Sequence, residues 1–410
     1  MFFSLSRDGW LLFSTRLVRL FAYGFLSVVL VLYLSAVGIN TTQIGLLLTL
    51  TMLGDAAISL WITTSADRIG RKKMLILGAG LMILAGVIFI ATGNVIFLTI
   101  AAIIGVISPS GSEVGPFLSI EQAALSQIVP NERRTRIFAW YNLVGSFATA
   151  LGALAGGTLA QGLQNLGYTA LDSYRFILLG YAAAGTLLIF LFSWLSSAIE
   201  VSKEDSAQNA TKKTQFGLHR SRSIVFKLSA LFALDAFGGW LVVQSLMAYW
   251  LHLRFGLEPA ALGGVFFAAN ILAGCSALAA VWLAERIGLI NTMVWTHIPS
   301  NILLILFPFM PNATLAIILL LARHSISQMD VPTRQSYTMA VVAPDERSAA
   351  SGVTNMARSI GSSLAPALTG ALLSAQLLKT PFVLAGVLKI VYDLLLYKNF
   401  RALKPPEEEG

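Results

Sequence analysis

The chain has 410 residues, of which 56% are hydrophobic and 12% charged, against about 25% charged in soluble domains. That composition excludes a soluble fold, and the net charge of +8 then reflects membrane orientation rather than nucleic acid. The single Cys275 excludes a disulfide framework. His219, His252, His297 and His324 are scattered without ligand spacing, so neither a metal nor another cofactor is expected.

Segments long enough to cross a bilayer, about twenty apolar residues each, are predicted at 12–37, 42–64, 74–92, 95–128, 136–160, 176–198, 224–253, 260–283, 292–309, 312–342, 349–374 and 380–398. The expected fold class is therefore all-α integral membrane, with twelve helices. Segment 1 is long and lacks a small-residue cleavage site, which predicts a retained helix rather than a signal peptide. Lys and Arg concentrate after segments 2, 4, 6, 8 and 10 and at both termini, whereas the opposite loops hold only Arg175, Arg254 and Lys379. Both termini are thus predicted to be cytoplasmic. In segment 4 the apolar run gives way to Ser108-Pro109-Ser110-Gly111-Ser112-Glu113-Val114-Gly115-Pro116. Two prolines remove backbone donors there, which predicts an unwound stretch. The polar stretch 200–223 is expected to be a cytoplasmic linker between six-helix bundles at 1–199 and 224–398, with 399–410 a cytoplasmic tail.

Between segments 2 and 3 lies Ala66-Asp67-Arg68-Ile69-Gly70-Arg71-Lys72-Lys73, a turn with four bases and one acid. Gly70 allows the reversal, and Asp67 is placed to accept from the free N–H groups of the next helix. At an offset of 218 residues the pattern returns as Ala284-Glu285-Arg286-Ile287-Gly288. Gly38 and Gly45 recur at the same offset as Gly256 and Gly263, so each half is an internal repeat. The first turn resembles the loop signature of the major facilitator superfamily, matching at Asp67, Arg68, Gly70, Arg71 and Lys72 and departing at Thr63, where that family has Gly. With the second copy at Glu285, Arg286 and Gly288, the resemblance covers nearly the whole chain and is to the bacterial twelve-helix type.

The resemblance implies two pseudo-symmetric six-helix bundles with a cavity lined by helices 1, 4, 7 and 10. Most ionisable groups within spans fall on those helices, where each costs about 2.5–3.5 kcal/mol. The expected proton-coupling acids are Glu113, Asp235 and Asp55, with Glu121 a further candidate or a partner for a base in the 132–136 loop. Expected cavity residues are Arg19, Tyr23, Trp240, Gln244, Arg323, Asp330 and Arg334. Asp330 with Arg334, and Lys389 with Asp393, are spaced to pair along one helix face. Asp55 and Arg358 lie on helices 2 and 11, which meet in the family. Gly145, Gly152, Gly156 and Gly157 are expected to serve helix packing, and Gly152-Ala153-Leu154-Ala155-Gly156-Gly157 resembles the exporters' Gly-Pro-x-x-Gly-Gly with Ala153 for Pro.

The expected function is secondary transport by alternating access: proton-coupled efflux of a small amphiphilic or zwitterionic solute. The alternative is an uptake symporter or uniporter for an organic anion or nutrient, using Arg19 and Arg323. A receptor or membrane-embedded enzyme is the remote third, since no convergent nucleophile and base, phosphate-binding loop or sensory domain stands out. The expected partners are the solute, protons and the lipid bilayer, without nucleic acid. The chain is expected to be a monomer spanning the plasma (inner) membrane many times.

Overall fold

The computed structural model describes residues 5–200, 220–343, 346–401 and 403, without the side chains of Asp67, residues 131–136, Ala139 and Ser348. Most of the predicted linker and tail therefore lie outside the described residues. The helices are α1 (Arg7–Ser27), α2 (Leu30–Ala36), α3 (Thr41–Ile69), α4 (Arg71–Ala91), α5 (Val95–Ile104), α6 (Phe117–Ile128), α7 (Asn131–Asn165) and α8 (Ala170–Ser193). There follow α9 (Arg222–Trp240), α10 (Gln244–Phe255), α11 (Pro259–Ile287), α12 (Leu289–Leu306), α13 (Ala313–His324), α14 (Asp330–Ala340), α15 (Arg347–Ser374) and α16 (Thr380–Phe400). Among the described residues no strand occurs. Among the described residues, eight helical stretches are long and apolar enough to cross a membrane, or nine when the bent pair α1 and α2 is taken as one. Large apolar side chains such as Trp61, Phe97, Trp282 and Trp295 stay exposed, as lipid-facing surface requires.

Every predicted segment falls on one helix or one consecutive pair, and the pairs are the first, fourth, seventh and tenth. The break in the fourth arises as its prolines and glycines dictate, with Gly111 and Gly115 at φ +71° and +81°. Backbone freed from a helix at membrane depth must bond elsewhere. Here Tyr181 donates to Val106 O, and Ser245 N to Pro109 O (3.1 Å). Thr149 donates to Gly111 O (3.1 Å), Ser108 to Ser112 O (2.7 Å) and Tyr23 to Val114 O (3.2 Å). The unwound stretch is thus a bonded part of the protein interior. In the seventh, Thr369 Oγ1 donates to the freed carbonyl of Leu241 (2.7 Å). In the first, the Ser27 hydroxyl donates back to Gly24 O (2.8 Å) where α1 bends 43° into α2.

The chain divides into two compact units. Unit 1 comprises Met1–Ile39, Leu50–Lys213 and Gln244–Phe267; unit 2 comprises Asn40–Thr49, Thr214–Val243 and Ala268–Gly410. In unit 1, α1 and α7 approach to backbone contact: a Cβ on Gly24 would lie 2.1 Å from Thr149 O, and one on Gly152 or Gly156 would lie 2.1 Å from Phe21 O or Phe25 O. Gly157 presses likewise on Pro259 O of α11, at 2.2 Å. In unit 2, a Cβ on Gly361 would lie 2.3 Å from Ala233 O where α9 crosses α15, and one on Gly45 would lie 2.4 Å from Pro366 O. An apolar core around Leu228, Phe232, Met293, Tyr337, Tyr392 and Leu396 joins α9, α12, α14 and α16 in unit 2.

The repeat is visible in the backbone. Gly38 and Gly256 have φ +97° and +66°, and Gly70 and Gly288 have φ +120° and +84°. Because the α1–α7 crossing has no room for a methyl group, Gly152→Ala is expected to cost about 1–3 kcal/mol. Thermal unfolding of the purified protein in detergent checks this, with Gly162→Ala as the control, since a Cβ at Gly162 meets nothing within 4 Å.

Candidate functional site

Each unit encloses its own network of buried charges. In unit 1, α1 presents Arg16 and Arg19 one turn apart, and the unwound stretch and α6 present Glu113 and Glu121. Arg19 is fully buried and bonds both acids: Nε donates to Glu113 Oε1 (2.8 Å), while Nη1 and Nη2 donate to the two Glu121 oxygens (2.7 Å each). Arg16 Nη1 donates to Glu113 Oε2 (2.9 Å), and its Nη2 to Asn142 Oδ1 (3.1 Å). Gly145 leaves room for this guanidinium, since a Cβ there would lie 2.8 Å from Arg16 Nε. Thr15 (2.8 Å) and Tyr141 also donate to Glu121, whose side chain has no exposure, whereas that of Glu113 keeps 15%. Two guanidiniums thus face two carboxylates, the condition under which charges are tolerated inside protein. Glu121, which the sequence leaves open between a proton-coupling acid and a partner for a loop base, pairs with Arg19 because both face the interior of unit 1; the 131–136 side chains lie outside the described residues.

In unit 2, the hub is Asp235 on α9. Its Oδ1 accepts from Lys389 Nζ of α16 (2.5 Å), and its Oδ2 from Arg334 of α14 (3.2 Å) and Arg358 of α15 (3.4 Å). Arg334 also pairs with Asp330 (2.6 Å), as the spacing predicted. Lys389 and Asp393 do not form the expected pair along one helix face, because each finds a better partner on another helix. Asp393 accepts from Asn301 (3.3 Å) and lies 2.8 Å from His297 Nδ1, whose Nε2 is 3.9 Å from Asp235. Asp235 is therefore the common anion of three cations from three helices.

Two of the expected site residues, Asp55 and Arg323, stand outside these networks. Asp55 on α3 receives the Ser59 hydroxyl (3.4 Å) and the Gly115 N–H, and has no ion pair among the described residues. Arg323, at the end of α13, is half-buried; its Nε is shut off from solvent without a hydrogen-bond partner. Of the remaining expected cavity residues, Tyr23 is fully buried and bonded to Val114 O, Gln244 donates to Ser27 Oγ (2.8 Å), and Trp240 is half-buried at the end of α9. A solute reaches the polar atoms of Arg19, Tyr23 or Arg334 only by displacing protein partners.

At the turn between α3 and α4, the Asp67 side chain lies outside the described residues, and the cap expected of it comes from Glu200. That carboxylate accepts from Arg71 N (2.7 Å) and Lys72 N (3.1 Å), at the helix end where a negative charge is favoured. Arg71 Nη1 donates to Gln127 (2.9 Å) and Ile199 O (3.0 Å). Lys72 Nζ donates to Ser193 O (2.6 Å) at the end of α8 and to Leu195 O (2.9 Å) just beyond it. These two bases brace the 193–200 segment within unit 1. Arg68 is exposed, and Glu285 is likewise exposed; Arg286 lies over the Trp282 ring, 4.0 Å from its centroid. Sequence reasoning missed Glu200 and His297. A lone histidine among apolar residues gives no signal of an Asp on a distant helix.

The fold and these intramembrane networks belong to a membrane transporter. The chain is a member of the Major Facilitator Superfamily, whose profile matches residues 12–366. It is 31% identical over 418 residues to an uncharacterized membrane protein of Saccharomyces cerevisiae, YJR124C, covering 95% of this chain and 93% of that one. It is 22% identical over 385 residues to the quinolone resistance protein NorA of Staphylococcus aureus, covering 91% and 92%. Among solved structures, the nucleoside transporter NupG superposes with a TM-score of 0.76 at 12% identity, covering 97% of this chain and all of that one (100%). The D-xylose-proton symporter superposes at 0.73 with 13% identity, covering 95% and 97%.

Proposed function

We propose that the chain exports a small organic solute by alternating access, coupled to protons, with Asp55 as the proton-carrying group. The observation that carries this reading is the contrast among the acids expected within the predicted spans. Glu113, Glu121, Asp235, Asp330 and Asp393 each have a basic partner within 3.0 Å, and Asp55 has none among the described residues. A carboxylate without a counter-charge inside a spanning helix is expensive, and a proton or a cation relieves it. Binding and release of that proton on opposite sides supplies the differential free energy that a coupled cycle needs. Glu113, first among the candidates by sequence, then serves chiefly to hold Arg16 and Arg19.

The two repeats act as six-helix bundles that rock about a midplane site, giving twelve spans with both termini in the cytoplasm. The 200–223 stretch links them. The turn containing Asp67, Arg68, Gly70, Arg71 and Lys72 and its counterpart at Glu285, Arg286 and Gly288 close the cytoplasmic side, and Gly145, Gly152, Gly156 and Gly157 keep the helix crossings tight. The distant likeness to a quinolone resistance protein supports export and an organic solute. The chain works as a monomer in the plasma membrane, which is the inner one in a bacterium.

Asp55→Asn tests the assignment. With a labelled quinolone in proteoliposomes, the variant is expected to lose at least about tenfold in transport driven by a pH gradient, the equivalent of 1.4 kcal/mol, while equilibrium exchange of the solute persists. Equal loss of both modes, or of neither, contradicts it.

A further inference from the structure

We propose that Arg323 is the anion-recognising group of the solute site, so that the transported solute carries a carboxylate or a similar anionic group. This deepens the transporter reading above and rests on it. Arg334, Arg358 and Lys389 are matched by Asp235, Asp330 and Asp393, and the nearest acid to Arg323 along the chain, Asp330, is committed to Arg334 at 2.6 Å. The Arg323 guanidinium is left with no ion pair and no hydrogen bond among the described residues, Asp330 acting on it only beyond ion-pair distance, and its Nε is buried. A guanidinium with no direct counter-ion at the end of an apolar helix is retained at a cost that an anionic ligand removes.

The local backbone supplies the rest of the site. Arg323 is the next-to-last residue of α13, and the chain leaves helical geometry at 325–329 before α14 begins. Ser327 lies four residues on, buried at 6% exposure, and its hydroxyl also lacks a partner. Neighbouring groups do not compete for a ligand: Ser276 Oγ accepts from Gln328 N (3.4 Å), and His324 Nδ1 lies 2.8 Å from Leu320 O. Two unfulfilled polar groups therefore lie at one break, a planar fork of donors just before it and a hydroxyl within it. Together they match a carboxylate, which accepts two parallel bonds from a guanidinium and keeps lone pairs for a hydroxyl.

Arginine modification tests this without relying on transport. Purified full-length protein is treated with phenylglyoxal, which attacks free guanidiniums, and adduct formation is followed by peptide mass spectrometry with benzoate or its neutral isostere benzamide present. The expected result is labelling of Arg323, slowed about tenfold by benzoate at ten times its Kd and unaffected by benzamide. Ser327→Ala is expected to weaken the protection about fivefold, as for loss of one hydrogen bond. An unlabelled Arg323, or equal protection by both compounds, overturns the proposal. Exchange of labelled benzoate in proteoliposomes separates the two levels of the account. Protection without exchange supports the anion site and removes the transporter reading, whereas exchange with Arg323 unprotected removes the site and leaves the transporter.

Discussion

Asp235→Asn is expected to destabilise unit 2 by about 3–5 kcal/mol, the usual cost of stranding buried charges by removing their partner. The substitution keeps the volume of the side chain, so packing around Phe232 and Tyr392 is preserved and the loss is electrostatic. Lys389, Arg334 and Arg358 converge on this one carboxylate. Without it, three cations face only Asp330 and Asp393, and Lys389 has no acid within ion-pair distance among the described residues. Thermal unfolding in detergent, followed by tryptophan fluorescence, checks the loss. Adding Lys389→Met to Asp235→Asn is expected to recover part of it, because that pair is the shortest at the hub. A loss below about 1 kcal/mol, the range of exposed pairs, contradicts the assignment of Asp235 as the hub.

Glu121→Gln is the second large effect, also about 3–5 kcal/mol. Arg19 has no exposure and uses two of its three nitrogens on Glu121, while Thr15 and Tyr141 donate to the same oxygens. A neutral amide presents an NH2 group to donors that need an acceptor, so the variant loses one charge and misplaces at least one bond. Glu113→Gln is expected to cost less, since that carboxylate keeps 15% exposure and water replaces part of the lost interaction. The ordering is measured on the same unfolding assay. A larger loss at Glu113 than at Glu121 reverses the account of unit 1.

The fold was legible where it depends on local chemistry. Apolar run length marks each helix, Pro109, Pro116, Gly111 and Gly115 announce the break in the fourth segment, and the paired glycines at positive φ expose the repeat. The breaks in the first, seventh and tenth segments escaped because they occur at Val28 and Val29, at 241–243 and at 325–329. Those stretches hold neither Pro nor Gly, and their geometry depends on tertiary bonds such as Thr369 to Leu241 O. The charged residues were legible as a set but not as pairs. Spacing along one helix correctly joined Asp330 to Arg334 and wrongly joined Lys389 to Asp393, because partners on other helices decide the second case. The two groups that carry the functional reading, Asp55 and Arg323, are distinguished by the partners they lack, and a lack of partners has no sequence signature.

The most direct test of the central claim records internal pH and labelled solute together in proteoliposomes holding the purified protein. The account predicts that organic anions or zwitterions drive a proton flux opposite to their own movement in the native chain, and that Asp55→Asn abolishes the flux while solute exchange continues. Solute movement without any accompanying proton in the native chain would contradict it and return Asp55 to a structural role.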